Sequence, residues 1–351
     1  MNDLILIFFL IGFGLLFYKC FLLIMKKYNS KLLIDNQLRK LQAFHVSPTP
    51  FIGGIGIFFS LVIVLFYFYL FKDIFLFEYL SFCSLFFFLG FVGDIKINFN
   101  PKVRLILMIV LLALLVKYNN FYLEYTGISF LNIWIRNSDF FSLIFMCLCF
   151  LFVINGANLI DGYNGLLGIH SLIILVNLFF VNYLNENSDL ALFLFLGILI
   201  LINFLIFNFP KAKIFLGDSG AYFLGAFIAI SVIKTSITIP TISPFYFCIL
   251  LFYLFFEVFY SFFRKLIKEK TPPIHPDKKH LHMLLYKILL KKNNSKSKSN
   301  YHVSIIINSI YLIMIIPAIF MMTDGMFCKY YSIVFFISYF FSYRIAYEKT
   351  K

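Results

Sequence analysis

The sequence predicts an all-α protein that crosses a lipid bilayer about eleven times. Of its 351 residues, 62% are hydrophobic and only 13% are charged, whereas charged residues make up about a quarter of an ordinary soluble domain. Phe alone contributes 51 residues, and apolar runs near the ~20-residue length that spans a hydrocarbon core recur from end to end. This composition excludes a soluble globule, a disordered chain and a collagen-like repeat.

Each apolar run predicts one membrane-spanning helix, and residues 1–351 are expected to form a single membrane domain. The first run is expected to be a retained helix, since its positive charge follows the apolar stretch instead of preceding it as in a cleaved signal. The cysteines lie mostly inside apolar runs without metal-type or redox-type spacing. The predicted spans are 4–25, 51–71, 74–92, 103–116, 139–154, 166–182, 190–207, 221–233, 244–263, 303–322 and 330–343.

The distribution of basic residues predicts the orientation. If the N-terminus is outside and the C-terminus inside, 24 of the 30 Lys and Arg residues fall in cytoplasmic segments and 5 in outer segments. This imbalance follows the positive-inside rule, so the net charge of +14 reflects topology and does not indicate a nucleic-acid partner. The basic tract 291–300 is interpreted as a linker beside an anionic leaflet.

Unusual polar residues concentrate in five predicted cytoplasmic loops, each beside Gly or Pro. Because these loops share one face of the membrane, packing of the helices would bring them together into a polar site at the membrane surface. The loops are 26–50, 93–102, 155–165, 208–220 and 264–302, and they contain or adjoin HVSPTPFIGG, GFVGDIKINFN, NGANLIDGYNGL, PKAKIFLGDSG and HPDKKHLHMLL.

Three carboxylates, Asp94, Asp161 and Asp218, lie within about a turn of predicted span ends. A single loop Asp is usually a turn former or a helix cap, but three on one face favour a binding site. Converging carboxylates repel one another unless a cation neutralises them, and oxygen ligands favour Mg²⁺ or Mn²⁺. Glu257, inside the ninth predicted span, could brace this site from behind.

Cationic donors for phosphate oxygens are predicted on the same face, namely Lys213, His280 and His282. At positions i and i+2 the two histidines suit a loop or a helix end better than a two-histidine zinc pair. Gly53 and Gly54 could either permit tight helix packing or contact a substrate. Carboxylates, a metal, cations and Gly-rich loops together indicate a site that handles a diphosphate.

The motifs NGANLIDGYNGL (155–166), KIFLGDSGAYFLG (213–225) and PDKKHLHMLLY (276–286) resemble those of the polyprenyl-phosphate N-acetylhexosamine-1-phosphate transferases. The resemblance extends from His45 to about Tyr286, and the histidine motif is similar to that of the branch acting on simple UDP-N-acetylhexosamines. It implies transfer of a sugar 1-phosphate from a UDP-sugar to undecaprenyl phosphate at the cytoplasmic face of a bacterial inner membrane. UMP would be released, and the product would start a cell-wall glycan or the O-antigen of lipopolysaccharide; a homodimer is left open.

The resemblance also implies residue roles. Asp218 corresponds to the metal-binding Asp of the family's GDxG loop. Asp161, with Asn158 beside it, corresponds to the acidic residue assigned to nucleotide binding or catalysis, and it is a second predicted metal ligand. His280 and His282 match the loop that contacts the phosphate or sugar of the donor.

Two positions depart from the family pattern. The paired aspartates expected after the third span are Gly93 and Asp94 here, so Asp94 is the one member of this pair left to act, together with Asp161, as a predicted catalytic residue. Asn164, predicted to bind substrate, occupies a position where several relatives have a second Asp. These departures leave open a catalytically silent relative that binds lipid or donor. A transporter of polyprenyl lipids is a further alternative, although charged residues at mid-span, which would favour it, are few.

Overall fold

The computed structural model describes residues 2–28, 33–35, 48–95, 97, 100–272 and 277–351. Within these ranges the chain is a bundle of α-helices with one short antiparallel pair of strands, β1 (Ile34–Asp35) and β2 (Thr49–Pro50). The predicted all-α class is therefore confirmed. Residues 45–47 and 273–276, parts of the first and last polar motifs, lie outside the described ranges.

The helices in chain order are α1 (Asn2–Tyr28), α2 (Gly53–Lys72), α3 (Phe77–Asp94), α4 (Pro101–Tyr118), α5 (Ser129–Asn137), α6 (Asp139–Ile160), α7 (Leu166–Leu184), α8 (Ser188–Asn208), α9 (Gly217–Thr238), α10 (Pro244–Leu250), α11 (Phe252–Phe263), α12 (Leu281–Asn293), α13 (Lys296–Phe320) and α14 (Gly325–Thr350), with a π-helix at Arg264–Glu269 after α11.

The protein is a polytopic membrane protein. Among the described residues, eight helices are long and apolar enough to cross a membrane, and a ninth span is formed if α10 and α11, bent by 76° at a break, count as one. Each of the eleven predicted spans overlaps a helix over most of its length. Two of these helices, α4 and α14, are outside the eight, so the number eleven stays a prediction.

Helix α9 lies at the centre of the bundle, against α2, α3, α6 and α7. Small residues permit its close packing. A Cβ at Gly225 would lie 2.7 Å from Cα of Ile154 on α6, and a Cβ at Gly90 of α3 would lie 2.4 Å from the carbonyl oxygen of Asp218. The first turn of α9 is therefore held tightly between its neighbours.

Two predicted loops are partly wrong. Residues 155–160 continue α6 for more than a turn, because the apolar residues there maintain the helical pattern. The loop predicted at 264–302 contains the π-helix and the 13-residue helix α12. The sequence of α12 is amphipathic, but basic residues such as Lys287, Lys291 and Lys292 lower its mean hydropathy and concealed its helical period.

Candidate active site

The turn that leads into α9 is fixed by Asp94. The backbone N–H groups of Asp218 and Ser219 donate to its carboxylate at 2.8 and 3.1 Å, and the Ser219 hydroxyl donates to it at 2.5 Å. Gly217 adopts φ +80°, and a Cβ there would lie 2.6 Å from the Asp94 carboxylate. Only glycine combines this backbone with so close an approach.

Asp94 is 5% exposed, and both of its oxygens accept hydrogen bonds from the turn. Such a carboxylate stabilises the orphan N–H groups at a helix N-terminus. In the structure Asp94 holds Asp218 at the start of α9. Its predicted catalytic role stays a prediction.

The Asp218 side chain points to the surface of the site and is 39% exposed. The Asn158 amide donates to its Oδ1 at 2.9 Å, and the Arg104 guanidinium donates to its Oδ2 at 3.0 Å. Asn158, predicted to bind substrate, thus contacts Asp218 in the structure, and its contact with a substrate stays a prediction. Arg104 was not predicted as a site residue, because its positive charge was already explained by its place in a predicted cytoplasmic segment.

Asp161 follows the last residue of α6 and makes no hydrogen bond or ion pair with any described residue. Burial, together with repulsion from Asp218 and Asp94, raises the pKa of Asp161 well above its usual range. The three predicted carboxylates therefore act on one another electrostatically, and we call them the carboxylate site. An unpartnered carboxylate in a negative field favours a cation.

The residues of the carboxylate site fit a divalent cation that arrives with a substrate. In the described ranges no group of three His, Cys, Asp or Glu side chains is arranged to hold a metal. Mg²⁺, however, is usually bound by one or two carboxylates together with substrate phosphates and water. Asp161, which has no partner among the described residues, and the exposed Asp218 could supply those two carboxylates.

Gly53 and Gly54 position the same turn from the opposite side. Their N–H groups donate to the carbonyls of Phe215 and Leu216, each at 2.9 Å. A Cβ at Gly54 would lie 2.5 Å from the backbone nitrogen of Gly220. The packing interpretation accounts for both glycines, and their N–H groups are not free for a phosphate.

Lys213 and Asn164 have different environments. Lys213 is exposed and forms no ion pair within the described chain, so its ammonium is free to reach a ligand.

Asn164 donates its amide to the carbonyl of Pro210 at 2.9 Å and its backbone N–H to Asn300 at 2.8 Å. Asn164 therefore connects the 210 segment to α13, and its predicted substrate contact is not represented in this geometry.

His280 and His282 lie at the start of α12, as a helix end was predicted to require. His280 precedes the helix with extended backbone, so the two rings stack with centroids 5.4 Å apart instead of diverging. The His280 ring donates from Nδ1 to Glu257 at 3.0 Å. The hydroxyl of Tyr253 lies 3.2 Å from Nδ1 of His282. Both rings are buried.

A set of buried charges surrounds these rings. Arg264 forms ion pairs with Asp277 and with Glu269, and Nε2 of His280 lies 3.7 Å from Asp277. Although burial opposes it, the neighbouring His280 and Arg264 lower the pKa of Asp277 to about 2. We call Glu257, Arg264, Asp277, His280 and His282 the histidine cluster. Tyr163 links it to the carboxylate site, since its ring centroid lies 5.6 Å from that of His282.

Comparison with known proteins agrees with this geometry. The sequence pattern of Glycosyl transferase family 4 matches residues 76–236, which include all three members of the carboxylate site. A phospho-N-acetylmuramoyl-pentapeptide-transferase of Dictyoglomus turgidum is 38% identical over 194 residues, 53% of this chain and 59% of that relative. These matches support the resemblance of the chain to the polyprenyl-phosphate N-acetylhexosamine-1-phosphate transferases.

A second family 4 relative carries a different substrate in its name. The undecaprenyl-phosphate alpha-N-acetylglucosaminyl 1-phosphate transferase of Thermotoga maritima is 32% identical over 139 residues, 40% of this chain and 41% of that relative. The chain thus matches less than two thirds of the length of either relative. The similarity to family 4 lies in the part of the chain that builds the carboxylate site, and the histidine cluster lies beyond the matched family pattern.

Proposed function

We propose that this protein transfers a sugar 1-phosphate, of the N-acetylhexosamine class, from a UDP-sugar to undecaprenyl phosphate. UMP is released, and the lipid-linked product starts a cell-surface glycan. The reaction takes place at the cytoplasmic face of a bacterial inner membrane, with the N-terminus of the chain outside and the C-terminus inside.

The observation that carries this proposal is the environment of Asp218. Its carboxylate is exposed at the start of a central helix, beside Asn158, Arg104 and the unpartnered Asp161. Carboxylates with cationic donors at a helix N-terminus suit a metal-bound diphosphate. The names of the two relatives, both phosphosugar transferases, support the same reaction class.

In the proposed reaction an oxygen of the lipid phosphate attacks the β-phosphorus of the UDP-sugar. A new P–O bond forms, and the bond between this phosphorus and the bridging oxygen breaks, so that UMP leaves with the electron pair. The attacking phosphate monoester is largely ionised near neutral pH, since its second pKa is about 6. A general base is therefore not required, which suits a chain that has Gly93 beside a buried Asp94.

The described residues supply positioning and charge. Asp94 fixes the turn, and Asn158 orients the Asp218 carboxylate. Lys213 lies exposed near this turn and can donate to phosphate oxygens. Asp161 and Asp218 would hold Mg²⁺ or Mn²⁺, which offsets charge on the diphosphate when bound.

The experiment uses membranes that contain the full-length chain, supplied with undecaprenyl phosphate, Mg²⁺ and a panel of labelled UDP-N-acetylhexosamines. We expect a lipid-linked sugar diphosphate and one equivalent of UMP with at least one donor. Asp218→Asn should reduce turnover by at least about a thousandfold, whereas Asp189→Asn, a change outside the site, should not.

The absence of UMP release with every donor would contradict the proposal. Saturable binding of a UDP-sugar without UMP release would instead favour the catalytically silent relative.

A further inference from the structure

Arg104 occupies the position at Asp218 where a cation would bind. Its guanidinium donates to Oδ2 at 3.0 Å, while Asn158 takes Oδ1. The guanidinium also lies 5.5 Å from the ring centroid of the buried Tyr222, which holds it over the turn. Across this oxygen is Gly93, where a Cβ would lie 3.0 Å from Oδ2. Because Gly93 has no side chain, Arg104 is the charged residue that lies next to Oδ2 of Asp218 within the described chain.

This ion pair opposes the binding of a free divalent cation. The guanidinium donates to one of the two Asp218 oxygens, and its charge repels a second cation at a distance of a few ångströms. The pair is partly exposed, with 29% of the Arg104 side chain and 39% of the Asp218 side chain accessible. Its strength is therefore modest, and a diphosphate, which carries more negative charge than one carboxylate, can take the guanidinium from Asp218.

A diphosphate would reverse this competition. It brings negative charge to the site, and a guanidinium has five N–H donors that suit phosphate oxygens. When Arg104 turns from Asp218 to the diphosphate, Oδ2 becomes available to the metal. Metal and donor are then bound more tightly together than the metal is bound alone, and the coupling is reciprocal.

We propose that Arg104 is a positioning residue that keeps the divalent cation from Asp218 until a nucleotide diphosphate is present, and that it then binds the diphosphate. This inference rests on the proposed function for the identity of the diphosphate. The ion pair itself is a property of the described chain and is tested separately.

The test measures Mn²⁺ binding by electron paramagnetic resonance on the full-length protein in detergent. Arg104→Gln removes the charge and keeps an amide donor, so we expect Mn²⁺ alone to bind about tenfold more tightly than to the wild type. Calorimetry at saturating Mn²⁺ should show that UDP-N-acetylglucosamine binds to this variant about tenfold more weakly than to the wild type. Arg104→Lys keeps the charge and should leave the affinity for Mn²⁺ alone within about twofold of the wild type.

Lys102→Gln is the matched control. Lys102 is an exposed residue on the same helix and forms no ion pair in the described chain, so both affinities should stay within about twofold. Unchanged or weaker Mn²⁺ binding in Arg104→Gln would overturn the proposal, and so would equal effects in Lys102→Gln. Wild-type UMP release together with unchanged Mn²⁺ binding in Arg104→Gln would refute this inference alone. Tighter Mn²⁺ binding without UMP release in any assay would instead refute the proposed function.

Discussion

The carboxylate site, with three ionisable groups, and the histidine cluster, with five, arrange these groups in opposite ways. In the carboxylate site, Asp161 has no partner in the described chain and Asp218 is 39% exposed. In the histidine cluster, Glu257 is 1% exposed and accepts hydrogen bonds from His280, from the backbone of Leu281 and from Tyr339. The carboxylate site has an excess of negative charge that a ligand can reach. In the histidine cluster, the charged groups are buried and bind one another.

We expect this difference to distinguish the carboxylate site, where the reaction would take place, from the histidine cluster, which would maintain the fold. An unsatisfied charge near the surface raises the free energy of the ligand-free protein and is compensated when a cation binds. A buried network of ion pairs and hydrogen bonds mainly fixes the geometry of the elements that it joins. Changes in the carboxylate site should therefore remove activity without unfolding the protein, and changes in the histidine cluster should first affect stability.

The largest effect is expected for Asp161→Asn. Removing this carboxylate should reduce turnover by at least about a thousandfold, because a metal-facing charge is lost. The folded protein should nevertheless become more stable in buffer with EDTA at pH 8, with Tm higher by about 2 °C. UMP release and thermal unfolding followed by circular dichroism are the two measurements.

The sign of the stability change follows from the raised pKa of Asp161, which is caused by burial and by the neighbouring carboxylates. Ionisation is easier in the unfolded state, so wild-type stability falls as pH rises above about 4, the ordinary pKa of an Asp. The advantage of Asp161→Asn should thus be greatest at pH 8 and should vanish near pH 4. A lower Tm than wild type at pH 8 would show that Asp161 is a structural residue.

The opposite pattern is expected for Glu257→Leu. This change leaves the ring of His280 and the backbone N–H of Leu281 without their acceptor, which should cost about 3 kcal/mol of unfolding free energy. The measurement is SDS-induced unfolding in mixed micelles. Glu348→Leu, which removes an exposed carboxylate paired with Arg344, should change stability by less than about 0.5 kcal/mol. Equal effects of the two changes would show that the histidine cluster is no scaffold.

A smaller effect distinguishes two tyrosines of α14. The Tyr339 hydroxyl donates to Glu257 at 2.8 Å, whereas the buried hydroxyl of Tyr343 has no hydrogen-bond partner among the described residues. Tyr339→Phe should therefore cost about 1 kcal/mol, and Tyr343→Phe should be neutral or stabilising. The same unfolding assay compares them, and a larger loss for Tyr343→Phe would contradict the hydrogen bonding described for this helix.

Much of the fold could be predicted from the sequence because the bilayer requires long apolar runs. Helix α8 consists almost entirely of such residues and was predicted within two residues at its N-terminal end. Helix α12 was missed because its basic residues mask its period. The position of Asp218 could be predicted from its motif. The role of Asp94 could not, since it depends on the N–H groups of a turn 124 residues away in sequence.

Arg104 shows a different limit of sequence reasoning. Its charge fitted the positive-inside rule, so nothing in the local sequence indicated a partner. Only the packing of α3, α4 and α9 places it at Asp218. Glu257, by contrast, stood out as a carboxylate inside an apolar span and was expected to brace the carboxylate site from behind. The structure pairs it with His280.

The smallest predicted effect concerns acid sensitivity in the histidine cluster. Burial lowers the pKa of His282 to about 3, so below pH 6.5 the unfolded chain binds a proton that the folded chain does not. Lowering the pH from 7 to 6 should therefore reduce the unfolding free energy of the wild type by about 0.7 kcal/mol through this group. His282→Gln lacks the group, so its loss of unfolding free energy over the same range should be smaller by about that amount. SDS-induced unfolding at the two pH values measures the difference. An identical loss in both proteins would mean that His282 is not kept neutral by burial, and the cluster would then be open to solvent as the carboxylate site is.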